Sequence, residues 1–87
     1  MLRISEHQSS SGRIVKLEGK VSGVCAGQVE SYCQSILAEG FPLTIDMTDV
    51  LFVDRNAVEL FTRLRADGVH LRNCSPFVSE LLKPIAV

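Results

Sequence analysis

Three aspartates close together in the chain, Asp46, Asp49 and Asp54, are the side chains best placed to do chemistry. Converging carboxylates can hold an oxygen-seeking cation, but each of these has a simpler task. Asp46 and Asp49 fall where a turn is favoured, and Asp54 stands directly before a helical pattern, as an N-cap does. We therefore expect no metal site. The candidate nucleophiles are Cys25, Cys33 and Cys74, with His7 and His70 as the bases. Cys25 and Cys74 lie near helix starts, where a thiolate is stabilised, whereas Cys33 sits on an apolar helical stripe and reads as packing. No spacing ties a cysteine to a histidine, as nucleophilic catalysis requires. The chain reads as a non-enzyme without a cofactor.

Arg55 is the residue that breaks a local rule. A cation at the first position of a helix opposes the helix dipole. Its long side chain either swings into solvent or docks an acidic or phosphorylated group. A competing reading places a small anion at three helix N-termini gathered on one sheet edge. No glycine-rich phosphate loop supports it.

The elements that must position these residues follow from the hydrophobic pattern. Leu2 to Glu6 and Arg13 to Glu18 alternate and read as two antiparallel strands, joined by a serine-rich connector from His7 to Gly12, with Gly19 closing the second. From Ser22 to Gly40 the period changes: Val29, Cys33, Ile36 and Leu37 form the core stripe of an amphipathic helix. Ser22 or Gly23 starts it, Gly27 weakens it, and Gly40 suits the position after its C-cap. Leu43 to Val58 is the organising stretch: a strand, a tight turn through Asp46 and Asp49, a second buried run from Val50 to Val53, then Asp54 as cap. The following helix, Asn56 to Ala66, puts Ala57, Leu60, Phe61 and Leu64 on one face. Its wet side carries the spacings Glu59 to Arg63 and Arg63 to Asp67. Val69 to Arg72 is a short strand. Ser75 and Pro76 open a last helix as cap and first residue, with Phe77, Val78, Leu81 and Leu82 as its buried face and Pro84 as its stop.

The order β-β-α-β-α-β-α implies an α/β fold, a mixed and mostly parallel sheet with helices packed on it. The 87 residues fit one domain, 1–87, with a modest core. Ile45, Val53, Phe61, Leu64, Val29 and Ile36 are expected to be almost fully buried. Nine basic residues scattered among ten acidic ones, net charge −1, form no basic patch, so nucleic acid is not an expected partner. No run is long and apolar enough to insert into a membrane, no signal peptide is expected, and the three cysteines read as reduced thiols of a cytoplasmic protein.

Three stretches carry a resemblance. Ile45-Asp46-Met47-Thr48-Asp49-Val50-Leu51-Phe52-Val53-Asp54, followed by a helix, is similar to the centre of the STAS domain (sulfate transporter and anti-sigma factor antagonist). Leu17-Glu18-Gly19-Lys20-Val21 resembles the segment before the first helix of that family. Val69 to Val78 resembles its ending. The likeness spans nearly the whole chain. It implies a small cytoplasmic bacterial module that signals by binding other proteins. The site it implies is the start and exposed face of the second helix, Asp54, Arg55, Asn56 and Glu59, with the loop at Ser22 and Gly23. In anti-sigma factor antagonists a Ser or Thr after the motif aspartate accepts phosphate from a partner kinase. Here that position is Arg55, and Ala57 replaces the family's glycine, so the switch is expected to be lost. The expected partner is an anti-sigma factor or kinase-like regulator. The alternative within the family is a soluble subunit of a lipid-transport ABC complex that clasps the transporter's ATPase, and the alternative outside it is a small anion- or lipid-binding domain.

Overall fold

The computed structural model describes residues 2–82. Its order is β1 (Leu2–Ser9), β2 (Gly12–Val21), α1 (Val24–Ala38), β3 (Leu43–Val53), α2 (Arg55–Ala66), β4 (His70–Arg72) and α3 (Pro76–Leu81). The four strands lie side by side in sequence order. β1 runs antiparallel to β2, while β2, β3 and β4 are mutually parallel. This is the mixed α/β sheet that the pattern implies. Pro84, expected to stop the last helix, lies outside the described residues.

The helices cover one face of the sheet. Val15, Leu17 and Val21 of β2 and Leu43, Ile45 and Met47 of β3 are buried, whereas their alternates Lys16, Glu18, Thr44 and Asp46 are only half-buried. Successive strand residues point to opposite faces, so the polar alternates line an open face and the apolar ones meet the helices. α1 contributes Ala26, Val29, Cys33 and Ile36 to the core, and α2 contributes Ala57, Leu60, Phe61 and Leu64. All six residues expected in the core are there.

The central stretch differs from its expectation. Leu43–Val53 is one unbroken strand, with no turn inside it. Lys16 pairs with Asp46 and Glu18 with Asp49, then Gly19 with Val50 and Lys20 with Phe52, so β3 slips an extra residue past β2 twice. These are β-bulges. Each shifts the pleat by one residue, which returns Val50 and Val53 to the core and leaves Thr48, Asp49, Leu51 and Phe52 outside. Asp46 still makes the turn-like contact that its type favours, accepting from the Thr48 backbone N–H at 3.0 Å and from its hydroxyl at 2.5 Å.

The hairpin is also longer than the pattern suggests. β1 continues through His7, Gln8 and Ser9, which pair with Ile14, Arg13 and Gly12, and only Ser10 and Ser11 form the turn. Polar residues suffice here because β1 is an edge strand whose far end is solvated. Gly12 permits a close approach: a Cβ there would come within 2.5 Å of the Pro42 carbonyl, which accepts the Arg13 N–H at 2.9 Å. Nor does Gly19 close β2, which runs on to Val21 and so reaches the end of β3. Arg63 makes neither expected contact along α2; it pairs with Glu30 of α1 at 3.1 Å, joining the two helices. Phe77 is 56% exposed and lies outside the core. In a helix this short, Val78 and the C-capping Leu82 fill the available buried space.

Candidate functional site

Three parallel strands that each run into a helix bring three helix starts to the same end of the sheet. β2 leads to Gly23, the N-cap of α1; β3 leads to Asp54, the N-cap of α2; β4 leads to Ser75, the N-cap of α3. Asp54 and Ser75 cap as expected, accepting from the Ala57 N–H at 2.8 Å and the Val78 N–H at 3.2 Å. Gly23 has no side chain to do this. Its φ of 55° belongs to the left-handed region that glycine tolerates best, and its own N–H donates to the second Asp54 carboxylate oxygen at 2.8 Å.

One carboxylate therefore fastens two helix starts. The Asp54 N–H also donates to the Val21 carbonyl at 3.1 Å, so the same residue is held to the end of β2. The Gly23 N–H first, and then the Ala57 N–H, hold the Asp54 carboxyl below its ordinary value. Both bonds favour the ionised form. Because the folded value is the depressed one, this stabilisation is present above the ordinary 3.8 and is lost as the pH falls through the folded value. Asp54→Ala is expected to lower the melting temperature at neutral pH by about 4–8 °C, the effect of losing a helix cap in a domain of this size. That gap should close as melts are recorded at pH values further below 3.8.

Around this clamp stand the other residues that the sequence singles out. Arg55 occupies the first position of α2 and is exposed, as are Asn56, Glu59 and Gly23; Ser22 is half-buried. Gly23, Asn56 and Glu59 line a shallow groove of about 260 Å³ between α1 and α2, together with Ala26, Gly27 and Leu60. The Glu30–Arg63 ion pair also borders it. Small residues on α1 keep the groove open, and a Cβ at Gly27 would meet nothing within 4 Å. The pattern alone shows Gly27 only as a weak point in a helix. Its place in a groove depends on α2 packing alongside, which no local spacing reveals.

The other candidate groups are engaged separately. Asp46 accepts from Thr48 and faces Arg72 at 3.8 Å, and Asp49 pairs with Lys16 at 3.2 Å. Asp54 works between the helices. Burial pushes the Cys33 thiol up to about 11 and also raises that of Cys74, which disfavours the reactive thiolate at both. His7 and His70 lie on the two outer strands, with β2 and β3 between them.

No family model matches the sequence, and no curated protein matches it at a significant level. Solved structures do match. The anti-sigma factor antagonist SpoIIAA in its unphosphorylated form superposes with a TM-score of 0.71 at 17% identity, over 93% of this chain and 82% of that one. A DUF3478-family protein with a SpoIIAA-like fold, from Shewanella loihica PV-4, superposes with a TM-score of 0.59 at 18% identity, over 92% of this chain and 72% of that one. This is the SpoIIAA-like fold. Identities this low carry the SpoIIAA-like architecture, the four-stranded mixed sheet with its three helices, and not the residues of a site. The groove and the Asp54 clamp rest on this chain's own geometry.

Proposed function

We propose that this chain is a non-catalytic, STAS-like protein–protein interaction module of the cytoplasm. Its role is that of an anti-sigma-factor-antagonist-type regulator whose phosphoacceptor position is filled by Arg55. The observation that carries this reading is the exposed Arg55 on the first turn of α2, beside a carboxylate that fixes the starts of both α1 and α2. A rigid frame with a cation at its tip and a shallow groove behind it suits recognition of another protein's acidic or phosphorylated group. At about 260 Å³ the groove is smaller than a usual small-molecule site, which suits contact with a macromolecular partner. Ser22, Gly23, Asp54, Arg55, Asn56 and Glu59 form the proposed contact surface.

The test is capture of a purified kinase-like anti-sigma factor by the chain. Arg55→Glu is expected to weaken capture about tenfold or more, through loss of one attraction and gain of a repulsion. Circular dichroism should stay unchanged and the melting temperature should not fall, because Arg55 is exposed and a glutamate at the first position of α2 suits the helix dipole. Undiminished capture by this variant would move the interface elsewhere, for example to the open edge of β1.

A further inference from the structure

β1 stands at the edge of the sheet and pairs with β2 along its whole length, from Leu2 with Gly19 to Ser9 with Gly12, without a bulge. The Arg13 N–H donates to the Pro42 carbonyl, on the β3 side of β2. N–H groups alternate sides along a strand. Those of Gly12, Ile14, Lys16 and Glu18 therefore point to β1, toward Ser9, His7, Ser5 and Arg3. The intervening residues of β1, Leu2, Ile4, Glu6 and Gln8, direct their N–H and C=O groups away from the sheet, where no other described strand lies. Three devices that blunt such an edge are missing from Leu2–Ser9: it has no proline, no lysine and no bulge. The Glu6 carboxylate is turned inward and accepts from Arg13 and from the Tyr32 hydroxyl at 2.7 Å. Leu2 and Ile4 pack against the core yet are only half-buried, so a strand laid beside β1 covers what remains of both.

The side chains of β1 select one way for a second β1 to do this. A two-fold axis normal to the sheet keeps every side chain on its own face, so directly opposed residues are both even or both odd in number. Centred on Arg3, the axis opposes two arginines, and centred on Glu6 it opposes two glutamates. Centred on Ser5, it sets Ile4 against Glu6 and Arg3 against His7. Centred on Ile4, it sets Ile4 against Ile4, Leu2 against Glu6 and Arg3 against Ser5. That register gathers Leu2 and Ile4 of both copies and directly opposes no like charges. Its Leu2–Glu6 and Ile4–Ile4 pairs are also the residues whose backbone groups point outward, so the ladder gains about six hydrogen bonds. His7 to Ser9 run past the seam and stay solvated. The outer surface of α1 beside Tyr32, with Val24, Gln28, Ser31 and Ser35, carries no charge to repel its copy. We propose that β1 pairs antiparallel with β1 of a second copy, with Ile4 on the axis, in a weak two-fold homodimer that joins two four-stranded sheets into one. The seam is small, so it forms and dissociates readily. No residue of the proposed partner surface belongs to it.

Sedimentation equilibrium of the whole chain tests this, from about 10 μM to about 1 mM, where small transient interfaces dissociate. The mass should rise with concentration from the 9.5 kDa of one chain toward twice that value. Ile4→Lys and Ile4→Glu should each weaken the dimer about tenfold or more, because each opposes like charges across the axis. An equimolar mixture of the two variants should associate again, since a lysine then faces a glutamate there. Arg55→Glu should leave the dimer unchanged, which separates this contact from the proposed partner surface. A constant mass of one chain up to about 1 mM overturns the proposal and leaves the edge to a different protein. So does a dimer undiminished in Ile4→Lys, or a mixture of the two variants that stays at the mass of one chain. Circular dichroism checks that each variant folds, and the concentration series on the parent needs no variant.

Discussion

Phe61→Ala is expected to destabilise the protein by about 3–5 kcal/mol, seen as a fall in the denaturant midpoint with little change in slope. Phe61 is fully buried on the inner face of α2, and it is the largest of the fully buried side chains. Removing its ring leaves a cavity that the surrounding core can only partly close. Domains of this size hold together by about 5–15 kcal/mol, so the variant sits near the threshold of unfolding. Phe77→Ala provides the internal comparison. That ring is more than half exposed and touches Phe52 alone among the aromatic rings of the described residues. Its loss should cost no more than about 1 kcal/mol. Equal effects of the two substitutions would show that the core has been placed wrongly.

The contrast between these phenylalanines shows where the sequence speaks and where it is silent. Both sit at helical spacing beside Val or Leu, and both read as core. α2 spans three turns and repeats its apolar face from Ala57 through Leu60 and Phe61 to Leu64, so its inner side is determined by periodicity. α3 has six residues, too few for the period to discriminate, and only the finished sheet edge decides which of its side chains are covered. Caps were legible because they act within a turn: Asp54 reaches Ala57, and Ser75 reaches Val78. The second bond of Asp54 spans 31 residues to Gly23 and leaves no local trace. β3 departs from its local pattern for a related reason. Asp46 and Asp49 do carry turn preferences, but both pair with β2, which absorbs the irregularity between them as a bulge rather than a reversal. The burial that results, with Met47, Val50 and Val53 inside, has a spacing of three that resembles neither a regular strand nor a turn.

The candidate site was legible as a set of residues, since Arg55 after a capping aspartate is anomalous on dipole grounds alone. Its neighbours Glu30 and Arg63 were not, because their pairing joins two helices.

The anomaly at Arg55 leads to the second large effect. An arginine accepts no phosphate, and neither Asp54 nor Asn56 carries a hydroxyl. A serine kinase of the anti-sigma-factor type should therefore leave the α2 start unmodified, and the module should stay in one binding state. Nor does Arg55 imitate the modified state. Phosphoserine would bring about −1.5 to −2 charges to a position that here carries a positive one. Under the proposed reading, the positive charge at Arg55 sets the chain nearer the unmodified state or selects a partner of different charge. Arg55→Ser together with Ala57→Gly rebuilds the acceptor pattern after Asp54, and the geometry tolerates it. Arg55 is exposed, and the Ala57 N–H that Asp54 caps belongs to the backbone and is retained. Losing the buried Ala57 methyl for glycine should cost about 1 kcal/mol, which leaves the fold intact. Incubated with the kinase and ATP, the double variant should gain one phosphate by intact mass, at the first position of α2, where the helix dipole favours an anion. The parent should gain none. Ser22 and Thr62 are the hydroxyls to watch in the parent: Ser22 is half-buried beside the clamp, and Thr62 donates to the Val58 carbonyl at 2.8 Å on the exposed side of α2. Phosphate found on either would show that the switch has moved within the same surface, and a module fixed in one state would have to be given up.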